Sequence, residues 1–254
     1  MLCAWAYWPT LARMAGTWAS NPEYSHGFLV PLFAGYLLWA RRERLGEGRP
    51  AFSAWGPAVL AGAGLLRVGG ALLGIDYLDS LSLVACAAGL VVLFGGLPAM
   101  RWAWPSLLFL LFMIPLPFGL ATSLSGMLRT VATQASGFVL QMVGLPTVIE
   151  GHTLLVGEDR IAVAEACSGL SMLYVFLALA TAVAILVERP WLDKAVILAS
   201  AIPIAVAANV VRIAATAFAF QVAGKKMGEW IYHDLAGWLM MPLALGMLLL
   251  VLRL

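Results

Sequence analysis

Long apolar runs separated by short polar connections dominate this chain, and their lengths predict its architecture. Crossing about 30 Å of hydrocarbon takes roughly 20 apolar residues in a helix. Segments that fit or nearly fit run from Leu2 to Trp18, Gly27 to Ala40, Phe52 to Gly74, Leu81 to Leu97, Trp104 to Leu120, Ser168 to Val187, Lys194 to about Phe220, and Leu235 to Leu252. The expected fold class is an all-α integral membrane bundle of about eight transmembrane helices, forming one transmembrane domain over residues 1–254. The first segment is short and carries Arg13 late, which suits part of a longer helix. It lacks the basic n-region of a cleavable signal peptide, and no long polar chain follows it.

Two stretches break the pattern. Phe118 to Val143 has the length of a span but carries Thr122, Ser123, Ser125, Arg129, Thr130, Thr133, Gln134, Ser136 and Gln141. Leu120, Leu124, Met127, Leu128 and Val131 recur at helical spacing, which predicts an amphipathic helix lying on the outer surface. Counting it as a span would place Arg189 and Lys194 outside. From Gly144 to Ala166 follows the longest polar connection. There Val148, Ile149, Leu154, Leu155, Val156, Ile161 and Val163 are punctuated by Gly151-His152 and Gly157-Glu158-Asp159-Arg160, which reads as a short extracytoplasmic β-hairpin-like loop.

Composition supports the membrane reading: 63% of residues are hydrophobic and 11% charged, which excludes an ordinary globular protein. The charges also orient the chain, because Lys and Arg accumulate in short cytoplasmic loops. Arg41, Arg42, Arg44, Arg49, Arg101, Arg189, Lys194 and Arg253 fall on one side. Opposite lie Glu23, Asp76, Asp79, Glu150, Glu158, Asp159, Glu229 and Asp234, with Arg160, Lys225 and Lys226 among them. Both termini are then cytoplasmic and the acidic loops face out. A net charge of +2 without a basic cluster argues against nucleic-acid binding. Dinucleotide fingerprints, Walker loops and paired CxxC motifs are absent, so no cofactor is expected. His152 with Glu150 or Asp159 matches no known metal spacing, and no metal is expected either.

Candidate chemistry lies in Glu165-Ala166-Cys167-Ser168-Gly169-Leu170. Burial as a small hydrophobe is the plain reading of any cysteine, and it suffices for Cys3 and for Cys86 in mid-span. Cys167 differs. It falls in the first turn of the span that follows the outer loop, where free backbone N–H groups and the helix dipole lower a thiol pKa. Ser168 and Gly169 keep the backbone open there, whereas Glu165 opposes ionisation and requires a cation to offset it. Arg212 lies about 18 residues past Lys194, roughly 27 Å above the cytoplasmic edge at 1.5 Å per residue. Snorkelling to headgroups is one reading of it. Asn209 and Thr216 share its helical face, however, and such a polar stripe usually turns toward the bundle interior. His233 follows the interfacial aromatics Trp230 and Tyr232, and all three histidines, His26, His152 and His233, fall outside. Thiolate, imidazole and guanidinium together form an acyl-transfer set.

The chain resembles the exosortase and archaeosortase family of integral-membrane cysteine transpeptidases of the PEP-CTERM sorting system. The resemblance rests on Tyr24-Ser25-His26-Gly27-Phe28-Leu29-Val30-Pro31, Met113-Ile114-Pro115-Leu116-Pro117, Glu165 to Leu170, Asn209-Val210-Val211-Arg212 and His233-Asp234-Leu235-Ala236-Gly237. It implies Cys167 as nucleophile, Arg212 as oxyanion stabiliser and His233 as acid/base; Glu165, Ser168, Asn209, Tyr24 and His26, which lie in the same motifs, are candidate supporting residues without an assigned role. It implies membrane-anchored protein substrates with a C-terminal sorting signal: a Pro-Glu-Pro-like motif, a transmembrane helix and a basic tail. It further implies the bacterial cytoplasmic (inner) membrane, an active site facing the periplasm, and an association with exopolysaccharide production. A transporter or lipid-handling scaffold is the alternative from another class, supported by Arg67 within a span and by the Pro115 and Pro117 breaks.

Overall fold

The computed structural model describes residues 5–45, 52–157, 159–163, 168–223 and 246. They form a mostly helical protein with one small sheet. Its elements are α1 (Trp8–Ser20), a 3-10 segment (Pro22–Phe28), α2 (Leu29–Ala40), α3 (Trp55–Leu73), α4 (Asp76–Phe109), α5 (Phe118–Met142), β1 (Thr147–Glu150), β2 (Thr153–Val156), β3 (Asp159–Ala162), α6 (Leu170–Leu186) and α7 (Trp191–Ala223). Packing divides the chain into two compact units, residues 1–118 and 119–254.

Among the described residues, three helices are long and apolar enough to cross a membrane: Trp55–Leu73, Asp76–Met113 and Trp191–Val222. That is fewer than the eight expected. Helices α1, α2 and α6 have 13, 12 and 17 residues, and the expected last span, apart from Gly246, lies outside the described residues.

In the first unit the expected fourth and fifth spans form one helical stretch, interrupted at Gly96 with φ 66° and ψ −165°. Only glycine adopts that conformation readily. Two hydrogen bonds show what the interruption does: Tyr7 Oη donates to Ser82 O at 3.1 Å and Trp18 Nε1 donates to Met113 O at 2.9 Å. A straight helix from Ser82 to Met113 would be about 46 Å long, whereas Tyr7 to Trp18 covers about 16 Å. The chain therefore doubles back at Gly96. Arg101, expected in the connection, stands within the returning helix. That helix resumes around Pro98, since proline fits a first helical turn whose N–H groups lack partners anyway. It ends at Met113, short of the expected Leu120, where Pro115 and Pro117 interrupt the chain.

Each half of α4 has its own partner. The first half lies against α3, which passes so close that a Cβ on Gly56 would stand 2.5 Å from Leu93 Cα and one on Gly89 would stand 2.7 Å from Leu60 Cδ2. Small residues that let helix backbones approach are the usual packing device in lipid. The α3–α4 turn closes on Gly74 at φ 65°, with Ile75 N–H donating to Gly70 O at 2.9 Å, a Schellman arrangement. The returning half lies against α2 through the Phe33 and Phe109 rings, 5.3 Å apart, and the Trp102 Nε1 bond to Leu38 O at 3.2 Å. Arg67, the residue that favoured a transporter, is held by Asp79 at 3.9 Å, donates to Ala6 O, and lies over the Tyr7 ring at 4.2 Å. Arg13 also pairs with Asp79 and with Asp76, so these charges tie α1 to α3 and α4.

In the second unit α6 and α7 pack through Phe176, Ala180 and Ala184 against Ile197, Ala201, Ile204, Ala205 and Ala208. The expected hairpin is a three-stranded antiparallel sheet in the order β1-β2-β3, because Asp159–Ala162 adds a further strand. Gly151, at φ 60°, supplies the positive angle for the two-residue turn between Glu150 and Thr153. The sheet's inner residues Leu154 and Val156 are fully buried against Ala132 and Leu140 of α5 and Ile213, Ala214 and Ala217 of α7.

Helix α5 departs from a helix lying with its polar face in water. Its packed face is small and polar, comprising Ser125, Ala132, Thr133, Ser136, Gly137 and Leu140, while Leu120, Met127 and Val131 of the expected apolar stripe point outward. Hydroxyls make this tolerable by bonding to backbone: Thr133 to Arg129 O at 2.8 Å and Ser136 to Val210 O at 3.3 Å. The exposed Ser123 and Thr130 likewise bond back to Gly119 O and Gly126 O within their own helix.

Candidate functional site

Ser168 and Gly169 lead into α6, and their geometry follows from the need to start a helix at a bend. Gly169 takes φ 87° as the residue preceding the helix, and its carbonyl accepts the Leu173 N–H at 2.9 Å. Ser168, 1% exposed, accepts the Leu170 N–H on its Oγ at 3.3 Å, capping one otherwise unpartnered donor of the first turn.

Asn209 of α7, also 1% exposed, stands flush against this bend. A Cβ on Gly169 would be 2.8 Å from Asn209 Nδ2. The polar stripe of α7 is therefore turned inward: Asn209 and Thr216 are buried, and Arg212 between them is half-buried. Arg212 follows Asn209 by about one helical turn on the same side of α7.

A narrow cleft with room for about one water molecule opens beside this contact. Leu128 and Ala132 of α5, Ser168, Gly169 and Leu173 of the α6 start, and Ala205, Val206 and Asn209 of α7 line it. Three separate stretches of chain thus converge around Gly169.

Of the expected site residues, Ser168 and Asn209 line this cleft, and Arg212 stands one turn beyond Asn209 on α7. Glu165, Cys167 and His233 lie outside the described residues. Tyr24 and His26 belong to the first unit, in the 3-10 segment after α1. His26 bonds through Nε2 to Phe112 O at 3.2 Å, and burial lowers its pKa against the opposing pull of the Phe112 and Glu23 backbone groups. Burial raises the Tyr24 phenol, with the neighbouring Glu23 carboxylate adding to the rise and a backbone bond to Leu116 opposing it. His152 stands at the β1–β2 turn, where its carbonyl accepts the Val163 N–H at 2.9 Å.

Sequence reasoning passed over Ser125 and Arg129. Both have buried polar atoms, Ser125 Oγ and Arg129 Nε, without a hydrogen-bond partner among the described residues. The signal was present as Ser125, Arg129, Ala132 and Ser136 at spacings of four and three, one continuous helical face.

Comparison with known proteins decides the lineage. Residues 18–250 match the transmembrane exosortase family (Exosortase_EpsH). The chain belongs to that family. No curated protein and no solved structure matches it significantly. The match runs through the 3-10 segment, the cleft and Arg212, and also through the positions of Cys167 and His233. This exosortase therefore carries its family signature across both packing units.

Proposed function

We propose that this exosortase is a membrane cysteine transpeptidase that cleaves a C-terminal sorting signal on the extracytoplasmic side. The observation that carries the reading is the contact of Asn209 with Gly169. It brings the Arg212 helix against the residues that immediately follow Cys167 in the chain, as an oxyanion stabiliser and a nucleophile require.

In this mechanism the Cys167 thiolate attacks the carbonyl carbon of the scissile peptide bond, and negative charge develops on the carbonyl oxygen. Arg212 stabilises that oxyanion. His233 as imidazolium donates a proton to the departing amine as the C–N bond breaks, leaving the acyl group as a thioester on Cys167. An acceptor amine or water then attacks the thioester, giving up its proton to His233, and expels the thiolate. Glu165, close in sequence to the thiol, holds charge that favours the imidazolium partner. Substrates are membrane-anchored proteins whose signal combines a Pro-Glu-Pro-like motif, a transmembrane helix and a basic tail. The enzyme resides in the bacterial inner membrane with about eight spans, both termini cytoplasmic and the catalytic groups facing the periplasm.

The test is mass spectrometry of a sorting-signal reporter in membranes. Wild-type enzyme is expected to generate a new reporter C-terminus, Cys167→Ala to generate none, and Arg212→Ala to lose at least about a hundredfold in rate. Arg212→Lys keeps charge but loses the planar fork and is expected to fall between. Undiminished cleavage by Cys167→Ala would sink the assignment. Trapping of an added amine on the product separates transfer from hydrolysis.

A further inference from the structure

Strand β3 is an edge of the small sheet. Val163 N–H donates to His152 O at 2.9 Å, and along an antiparallel pair bonded and unbonded positions alternate. With Ile161 opposite Leu154 and Ala162 opposite Thr153, Ile161 turns its backbone N–H and C=O toward β2, whereas Arg160 and Ala162 turn theirs away. Both of these residues are exposed, and no further strand pairs with them among the described residues. Their outward N–H and C=O groups form a short row of donors and acceptors ready for another strand.

The opposite edge is finished differently. Gly157 N–H donates to Pro146 O, so by the same alternation Thr147 points away from β2, and there Gln141 of α5 donates through Nε2 to Thr147 O at 2.8 Å. Pro146, just ahead of β1, removes one donor more. The β1 edge is thus blunted by the protein's own residues. Strand β3 is nevertheless firmly seated: Leu154, Val156 and Val163 are buried against α5 and α7, while Gln221 of α7 donates to Val156 O and, at 3.4 Å, to the Asp159 carboxylate. A strand joining such a fixed edge costs the protein little ordering. The chain then runs from Ala162 to Cys167 in five residues, at most about 17 Å of extended backbone.

We propose that the outer edge of β3 binds the peptide substrate beside its scissile bond as a fourth strand, through the backbone groups of Arg160 and Ala162. This rests on the transpeptidase reading, which brings a peptide to Cys167. Recognition at this edge is by main chain: Arg160 and Ala162 each offer one N–H and one C=O, and alternate residues of the substrate supply the complements. The strand takes no part in bond breaking.

The experiment uses the full-length protein in nanodiscs with semisynthetic sorting-signal reporters, N-methylated in turn at each residue that flanks the scissile bond. In wild type, kcat/KM is expected to fall by about fivefold or more at alternate residues and by less than about twofold between them, since only every second N–H faces the neighbouring strand. Ala162→Pro removes an outward N–H and leaves the β2 ladder intact, and it is expected to weaken cleavage of the unmodified reporter mainly through KM. It is also expected to shrink the penalty at the one methylated residue that pairs with position 162, as coupled partners do. Losses without a two-residue period overturn the proposal, and that readout needs no variant to fold. So does an alternating pattern that Ala162→Pro leaves unchanged along with KM, because another edge would then hold the peptide. A wild-type dimer that Ala162→Pro splits, with no periodic loss on the reporters, overturns it in favour of a second copy on the edge. Wild type cleaving the unmodified reporter no faster than Cys167→Ala instead removes the transpeptidase reading on which this proposal stands.

Discussion

Gly169 shows how one residue serves both the fold and the site. Its φ of 87° lies in the region that glycine enters without penalty, and the Asn209 amide occupies the space where any side chain would begin. Gly169→Ala is expected to destabilise the protein by about 1–3 kcal/mol, read as a lower unfolding temperature in detergent. Processing of a sorting-signal reporter is expected to fall further than stability alone explains, because the bend that follows Cys167 is displaced. Asn209→Ala relieves the contact and is expected to recover part of the stability lost in Gly169→Ala, though the backbone strain remains. At this scale the sequence was partly legible. Asn209, Arg212 and Thr216 share a face at spacings anyone can count, and two of them are buried as that face implies. The burial of Ser125, Thr133 and Ser136 was not legible, because the segment's many polar residues pointed to water as their environment.

Elements tell a similar story at longer range. The sequence predicts one helix from Leu81 to Leu97 and another from Trp104 to Leu120, with Arg101 in the connection between them, because arginine marks the cytoplasmic side. The reversal occurs at Gly96, beside the expected end of the first of these helices, but the chain turns within Gly95-Gly96-Leu97-Pro98 and Arg101 already lies in the returning helix. Charge reports which side of the membrane a segment nears, whereas a backbone angle decides where it turns. Gly96→Ala is expected to cost about 1–3 kcal/mol by forcing a side chain into a conformation nearly exclusive to glycine. Unfolding temperature in detergent reads that change, and an unaltered value would mean that the reversal does not need this residue. Helix α5 illustrates the complementary error. Its length and helicity followed from the apolar spacing of Leu120, Leu124, Met127, Leu128 and Val131. Which face would be packed did not, since the partners that cover Ser125 to Leu140 come from the sheet and α7 far along the chain.

At the scale of the whole molecule, the distribution of charge makes a claim that labelling can check. In a variant without its native cysteines, a membrane-impermeant thiol reagent applied to intact cells is expected to modify Arg160→Cys but not Arg44→Cys. The opposite pattern would reverse the proposed orientation and move the candidate site to the cytoplasmic side. The sequence by itself determined that this is a helical membrane protein, the order of its cysteine, arginine and histidine motifs, and the family to which those motifs belong. Such features are local: twenty apolar residues make a span, and three- and four-residue spacings make a helical face. Tertiary structure alone decided which faces are packed, where α4 folds back, and that Asn209 meets Gly169 beside a cleft. The reason lies in the solvent. A helix in lipid can be apolar all round, so its hydrophobic pattern no longer points to the protein interior, and small or polar residues take positions that only their distant partners specify.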